Sequence, residues 1–179
     1  MLKKSQKPKK RFFFSAVRKS ENLKVSRGES VPNTKMTSQP IKFTRWTGAG
    51  GLDEFCRQQT GCAPFSSAGI CPRKEKKTTI LRSVDDTHYY DDDMTSPEKV
   101  RYTLFGPSGN QDRNEKKFNA PFLNPKVTEH IYLYRVSKEG KKTIWLWYGK
   151  YQMTGTSEKQ HVGQDGLQRT IVLAHLTRV

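Results

Sequence analysis

No apolar run in the 179 residues approaches the ~20 that cross a bilayer as a helix. The start, Met1-Leu2-Lys3-Lys4, leads into more charge where a secretory signal would turn hydrophobic. Both absences predict a soluble chain with no membrane partner. Hydrophobic residues make up 33% of the sequence against 28% charged, too few for a packed core from end to end, so part of the chain is expected to stay unfolded. Cysteine is scarce and odd in number, three in all, which argues against a disulfide framework and for a reducing compartment. No G-x-S-x-G, Walker loop, H-E-x-x-H or H-N-H cluster occurs, and His88, His130, His161 and His175 are scattered. Nothing here calls for a cofactor, a metal or a reaction.

What the sequence has in excess is positive charge: 33 Lys and Arg against 17 Asp and Glu, a formal +16. The excess is uneven. Residues 1–45 hold 13 basic and 2 acidic side chains, 46–97 hold 6 and 8, and 98–179 hold 14 and 7. The first segment has no sustained helical or strand period and reads as a long disordered basic arm. Its run Lys7, Lys9, Lys10 and Arg11 around Pro8 resembles a basic nuclear import signal, readable by an import receptor; a solvated arm that clings to phosphate explains it equally. The expected location is nuclear in a eukaryote and otherwise a reducing cytoplasm. Phe12-Phe13-Phe14 invites burial on the domain or on a partner.

Residues 46–97 are rich in turn formers and read as an irregular, partly acidic linker. Cys56-x5-Cys62-x8-Cys71 contains no close C-x2-C pair to anchor zinc, with His88 the nearest fourth ligand. Asp53-Glu54-Phe55 opens a short helix, its acids favourable in a first turn. Asp85-Asp86 and Asp91-Asp92-Asp93 flank His88-Tyr89-Tyr90. Adjacent carboxylates in extended chain point to opposite faces, so this run reads as a solvated linker and not a site.

From Glu98 the pattern becomes strand-like. Val100–Phe105 and Ile131–Val136 are β-branched and aromatic; Ser137–Lys142, with Gly140 at the left-handed position, makes a hairpin to Thr143–Tyr148. Gly149 marks a bulge before the strand resumes through Tyr151 to Met153. Residues 154–169 are polar and loop-like, with Asp165-Gly166 as a turn pair, and Thr170–Leu176 is the last strand. Asn119–Leu123 forms a short helix. The fold class is therefore mainly β (α+β): a small curled sheet or barrel of residues 98–179 with a short helix.

The residues Tyr102-Thr103-Leu104-Phe105-Gly106-Pro107-Ser108-Gly109-Asn110-Gln111-Asp112, then Asn119, give a tyrosine-led strand, a G-x-x-G-x-Q-D-like loop and a downstream asparagine. Ile131-Tyr132-Leu133-Tyr134, Trp147-Tyr148-Gly149-Lys150-Tyr151 and Arg169 follow in order. This series resembles the PUA-like barrels of the SRA group, and most of all the SRA-like recognition modules found beside HNH nucleases in modification-dependent restriction enzymes. The long glycine-rich YDG stretch of eukaryotic members has no counterpart. The resemblance covers residues 98–179 and implies duplex DNA on a basic concave sheet, with a modified base or backbone read in a pocket and Arg169 entering the last strand beside it. It is also what favours DNA over RNA.

Side-chain chemistry points the same way. Lys116, Lys117, Lys141, Lys142 and Lys150 are candidates for neutralising phosphate, which positions a protein without specifying sequence. Tyr102, Trp145, Trp147, Tyr148 and Tyr151 offer faces on which an extruded base stacks, and Asn110, Gln111 and Asp112 offer polar groups to its edge. Core packing of the aromatics and loop capping by Asn110 to Asp112 are the structural alternatives. Two other functions stay open. A packaging protein binding through its tail also accounts for +16. Ile131-Tyr132 and Tyr148-Gly149 echo the GIY-YIG nuclease pattern, although no glutamate follows Glu158. His175, in an apolar strand, reads as a satisfied core residue.

Overall fold

The computed structural model describes residues 43–64, 68–85, 92–163 and 165–179. The basic run, Phe12-Phe13-Phe14, His88 and its neighbouring tyrosines lie outside them. All described residues fall within one unit, Gln39–Val179. Strands account for 51% and helices for 16%, so the chain is mainly β as the alternating segments require. Among the described residues no helix is long and apolar enough to cross a membrane.

In chain order the elements are β1 (Thr44–Trp46), α1 (Ala49–Thr60), β2 (Ile70–Arg73), a 3-10 turn (Lys74–Lys76), β3 (Thr78–Val84), β4 (Asp93–Ser96), β5 (Lys99–Thr103), α2 (Asn119–Leu123), β6 (His130–Glu139), β7 (Lys142–Val162) and β8 (Gln168–Arg178). They form one sheet in the order β2-β3-β6-β7-β8-β5-β4, with β1 paired to β7. β3 runs parallel to β6; the other pairs are antiparallel. The end strands β2 and β4 are not paired with each other, so the sheet is open, and of the two expected forms, curled sheet or barrel, the barrel is corrected to an open sheet.

Three expectations about the elements change. Residues 46–97 are no irregular linker: β2 and β3 join the sheet through apolar residues that alternate between its two faces. Thr44 and Arg45, read as part of the arm, lie in β1, where Thr44, Arg45 and Trp46 pair with Trp147, Leu146 and Trp145. Residues 154–162 are strand and not loop, continuing β7 against β8 as a ribbon whose polar side chains gave no apolar alternation to read. In addition, α1 begins at Ala49, so Asp53 is past its first turn. The short helix at Asn119, the Gly140 turn (φ 59°) and the Gly149 bulge are as expected. Leu133 faces Gly149 and Tyr134 faces Trp147, leaving Tyr148 as the extra residue, and Gly149 takes φ 103°, a conformation strained for any residue with a Cβ.

Period-two alternation gives the sheet two cores. On one face Ile70, Leu81, Tyr102, Leu104, Ile131, Leu133, Tyr148, Tyr151, Val172 and Leu176 pack together with Phe122 of α2. On the other face Ile80, Tyr134, Val136 and Trp147 pack beneath Leu52 and Cys56 of α1. All three cysteines are buried in this second cluster. Among the described residues no group of three or more His, Cys, Asp or Glu is placed to hold a metal.

Candidate nucleic-acid interface

The curl brings β3 and β5, second and sixth in the sheet, within reach of each other, and side chains span the gap where no strand pairing does. From β5, the Tyr102 hydroxyl donates to the Gly69 carbonyl at 2.7 Å and stands 2.8 Å from that of Arg82 on β3. From just before β4, the Asp92 carboxylate accepts the Ser83 hydroxyl of β3 at 2.9 Å on one oxygen. Its other oxygen accepts the Thr103 N–H of β5 at 2.7 Å. Gly69 leaves room for this approach, since a Cβ there would lie 3.0 Å from the Tyr102 oxygen, tight enough that the tyrosine would have to shift.

Over this seam lies a cavity of about 640 Å³, within the ~300–1,000 Å³ typical of small-molecule sites. One wall is β2 and β3, with Ile70, Cys71, Pro72, Arg82 and Val84. The other is β5 and its following loop, with Tyr102, Thr103, Phe105, Lys117 and Phe118, and Asp92 lies between. Phe105 and Phe118 are tilted against each other at 4.7 Å, and the Lys117 ammonium stands 5.0 Å above Phe118. The loop is held rigidly. Buried Asn119 accepts the Phe105 N–H and donates to the Phe105 and Asp112 carbonyls. Burial works against ionisation of Glu115, but the N–H groups of Lys117, Phe118 and Asn119 outweigh it and hold its carboxyl below the usual range.

The predicted site residues separate into three groups. Tyr102 and Lys117 line the cavity. Lys116, Lys141 and Lys142 are exposed, the last two at the β6–β7 turn, and Lys150 is half-buried on β7. The rest have structural work. Gln111 is buried, donating to the Leu104 carbonyl and accepting the Val172 N–H, so its amide replaces a missing strand partner. Asn110 accepts the Thr170 N–H, and Asp112 accepts that of Asn114. Arg169 donates to the Gly106 carbonyl. Tyr151 is buried and donates to the Pro97 carbonyl. Trp147 is buried beneath α1 against Phe55 and Tyr132, and Trp145 packs half-buried on the same cluster. Neither tryptophan lines the cavity, although Cys71 and Val84 of its lining belong to the same cluster.

Of the residues in the nuclease echo, Tyr132 packs on the second cluster and Tyr148 in the first, on opposite faces of the sheet. His175 is half-buried and in hydrogen-bond contact with the Ser157 hydroxyl at 2.8 Å, as a satisfied residue should be.

The sequence matches no family model and no curated protein. Solved structures do match. KRYPTONITE in complex with mCHH DNA, an H3(1-15) peptide and SAH aligns at 16% identity and a TM-score of 0.54, over 76% of this chain and 31% of that one. The sulfur binding domain and SRA domain of ScoMcrA, complexed with phosphorothioated DNA, aligns at 19% and 0.50, over 79% and 40%. The MspJI restriction endonuclease with a 27-mer oligonucleotide aligns at 16% and 0.52, over 74% and 36%. The fold is SRA-like. This chain spans between about a third and two fifths of the length of those structures.

Within the SRA-like fold, sequence reasoning missed Asp92, Arg82, Gly69, Phe105 and Phe118. The acidic run read as solvated linker because its carboxylates are adjacent. A signal was nevertheless present: the turn pair Pro97-Glu98 returns the chain on itself, and a hairpin there sets Asp93 opposite Arg101.

Proposed function

We propose that this SRA-like domain binds duplex DNA without cutting it and seats one extruded, modified base in the seam cavity. The observation that carries the reading is the Asp92 carboxylate, fixed by Ser83 and Thr103 in a cavity walled by Tyr102, Phe105 and Phe118. A carboxylate only accepts, so it favours a base edge with an exocyclic amino group, cytosine above all, and repels phosphate. Aromatic walls supply the stacking an unstacked base loses, roughly 1–3 kcal/mol for each base. Neighbouring structures support the DNA partner, since those aligned above hold mCHH DNA, phosphorothioated DNA and a 27-mer oligonucleotide. Residues 1–45 add affinity that ignores sequence, and Lys7, Lys9, Lys10 and Arg11 support nuclear import as a separate proposal.

The test is a competition titration of the full chain and of a form lacking residues 1–38, using duplexes with plain, 5-methylated or 5-hydroxymethylated cytosine or a phosphorothioate linkage. Both forms should prefer a duplex with a modified cytosine, and Asp92→Asn should lose that preference about tenfold or more. If the shortened form binds all duplexes equally, the domain reads no modification, and if it binds none, the tail alone binds; either result ends the reading.

A further inference from the structure

Nine arginines are described, and eight of them are engaged. Arg45, Arg57, Arg101, Arg113 and Arg135 pair with Glu139, Asp53, Asp93, Glu158 and Asp85. Arg73 and Arg169 donate to the Ala63 and Gly106 carbonyls, and Arg178 stacks over Phe43. Arg82 is different. Its backbone is used twice, its N–H toward Gly69 and its carbonyl by Tyr102. Among the described residues its guanidinium has neither a hydrogen bond nor an ion pair, although it is half-buried and lines the same cavity as Asp92.

None of the Arg82 side-chain nitrogens is among the buried side-chain atoms left without a partner, so the guanidinium keeps its N–H donors open to water and to an acceptor in the cavity. Its planar fork matches the oxygens of a phosphate two at a time. Asp92 excludes phosphate from its own position, so base and phosphate are sorted to different residues of one site. We propose that Arg82 is the phosphate clamp of the cavity, gripping the backbone phosphate beside the extruded nucleotide while Asp92 meets the base edge. This rests on the reading of the cavity as a nucleotide seat and assigns it a second, sequence-blind contact.

Arg82→Gln and Arg82→Lys in the full chain test it, with duplex affinity measured across a salt series. Arg82→Gln should weaken modified and unmodified duplexes alike, by about tenfold or more, and lower the log–log salt slope by about 0.9. Arg82→Lys should restore the slope but not the whole affinity, since a point charge replaces the fork. Deoxycytidine and deoxycytidine 5′-monophosphate are the second probe: wild type should bind the monophosphate more tightly, and Arg82→Gln should erase the difference. An unchanged slope, or a loss confined to duplexes with modified bases, would overturn the assignment. If wild type does not discriminate modified bases yet Arg82→Gln still lowers the slope, the base reading falls and the clamp stands. Circular dichroism of each variant confirms that the sheet is intact.

Discussion

The hydroxyl of Tyr102 on β5 donates to the carbonyl of Gly69, the residue just before β2, across 2.7 Å. These two residues join regions of the sheet that no strand pairing connects, so the contact fixes the curl. Tyr102→Phe removes the one donor and should cost about 0.5–1.5 kcal/mol. Gly69→Ala puts a methyl group 3.0 Å from the same oxygen and forces the tyrosine to move. Urea denaturation should show both losses, and both variants should weaken DNA binding by more than they weaken the fold. Wild-type affinity in Gly69→Ala would mean that the seam does not shape the binding site.

Gln111 and Asn110 are neighbours with amide side chains and opposite consequences. Gln111 is buried and completes hydrogen bonds at Leu104 and Val172. Gln111→Ala therefore strands a buried carbonyl and a buried N–H, each at ~1–3 kcal/mol. Asn110 is exposed, and water can replace it at the Thr170 N–H, so Asn110→Ala should cost under about 1 kcal/mol. Equal losses in chemical denaturation would refute the distinction.

This pair also shows what could be read in the sequence and what could not. Strands at 131–136 and 170–176, and the first four residues of the expected 100–105, were legible because apolar and β-branched residues alternate there, although β5 stops at Thr103; the Gly140 turn and Gly149 bulge were legible because glycine is conformationally special. Gln111 was noticed as a polar residue on a glycine-bounded loop, but whether its amide faces a base or a broken ladder depends on where β8 passes. That is a long-range fact. The same holds for Trp147: its strand alternation was clear, but nothing in the strand says that α1 covers that face. Asp92 was the opposite case, a residue dismissed for its charged neighbours, since only the meeting of β3 and β5 shows that its two oxygens are already held. Arg82 carried no local signal at all, because its lack of a partner among the described residues depends on every residue around it.

Trp147 is 8% exposed and packs edge-on to Phe55 at 5.5 Å. Trp147→Ala should cost about 3–5 kcal/mol, as for other large core truncations, whereas half-buried Trp145→Ala should cost less. Neither should change the ratio of affinities for modified and plain DNA, provided the comparison is made where each variant is folded. Trp147→Phe keeps most of the packing and gives the cleaner binding measurement. A loss of discrimination in Trp147→Phe would place the base on the α1 side of the sheet and away from the seam.

Stability should fall at both ends of the pH range, for different reasons. The Thr95 hydroxyl, the Arg101 guanidinium and the Thr95 N–H together draw the Asp93 carboxyl down to about 2. A carboxyl depressed on folding gives stability that is present above its unfolded pKa of about 3.9 and lost as pH falls toward the folded value. Glu115 adds to this acid limb in the same direction. Burial instead pushes the Cys56 thiol up to about 11, against the pull of the Thr60 hydroxyl. Its contribution is complete below the unfolded pKa, near 8.5–9, and is lost as pH rises to about 11, because the unfolded thiol ionises first. One such group changes stability by at most about 1.4 kcal/mol per pH unit. Cys56→Ala lowers stability everywhere through lost packing, so the slope is the informative quantity. Between about pH 9 and pH 10, before the buried hydroxyls of Tyr134 and Tyr151 enter, the slope should be shallower in Cys56→Ala than in wild type. Parallel curves in that window would show that another group controls the alkaline limb.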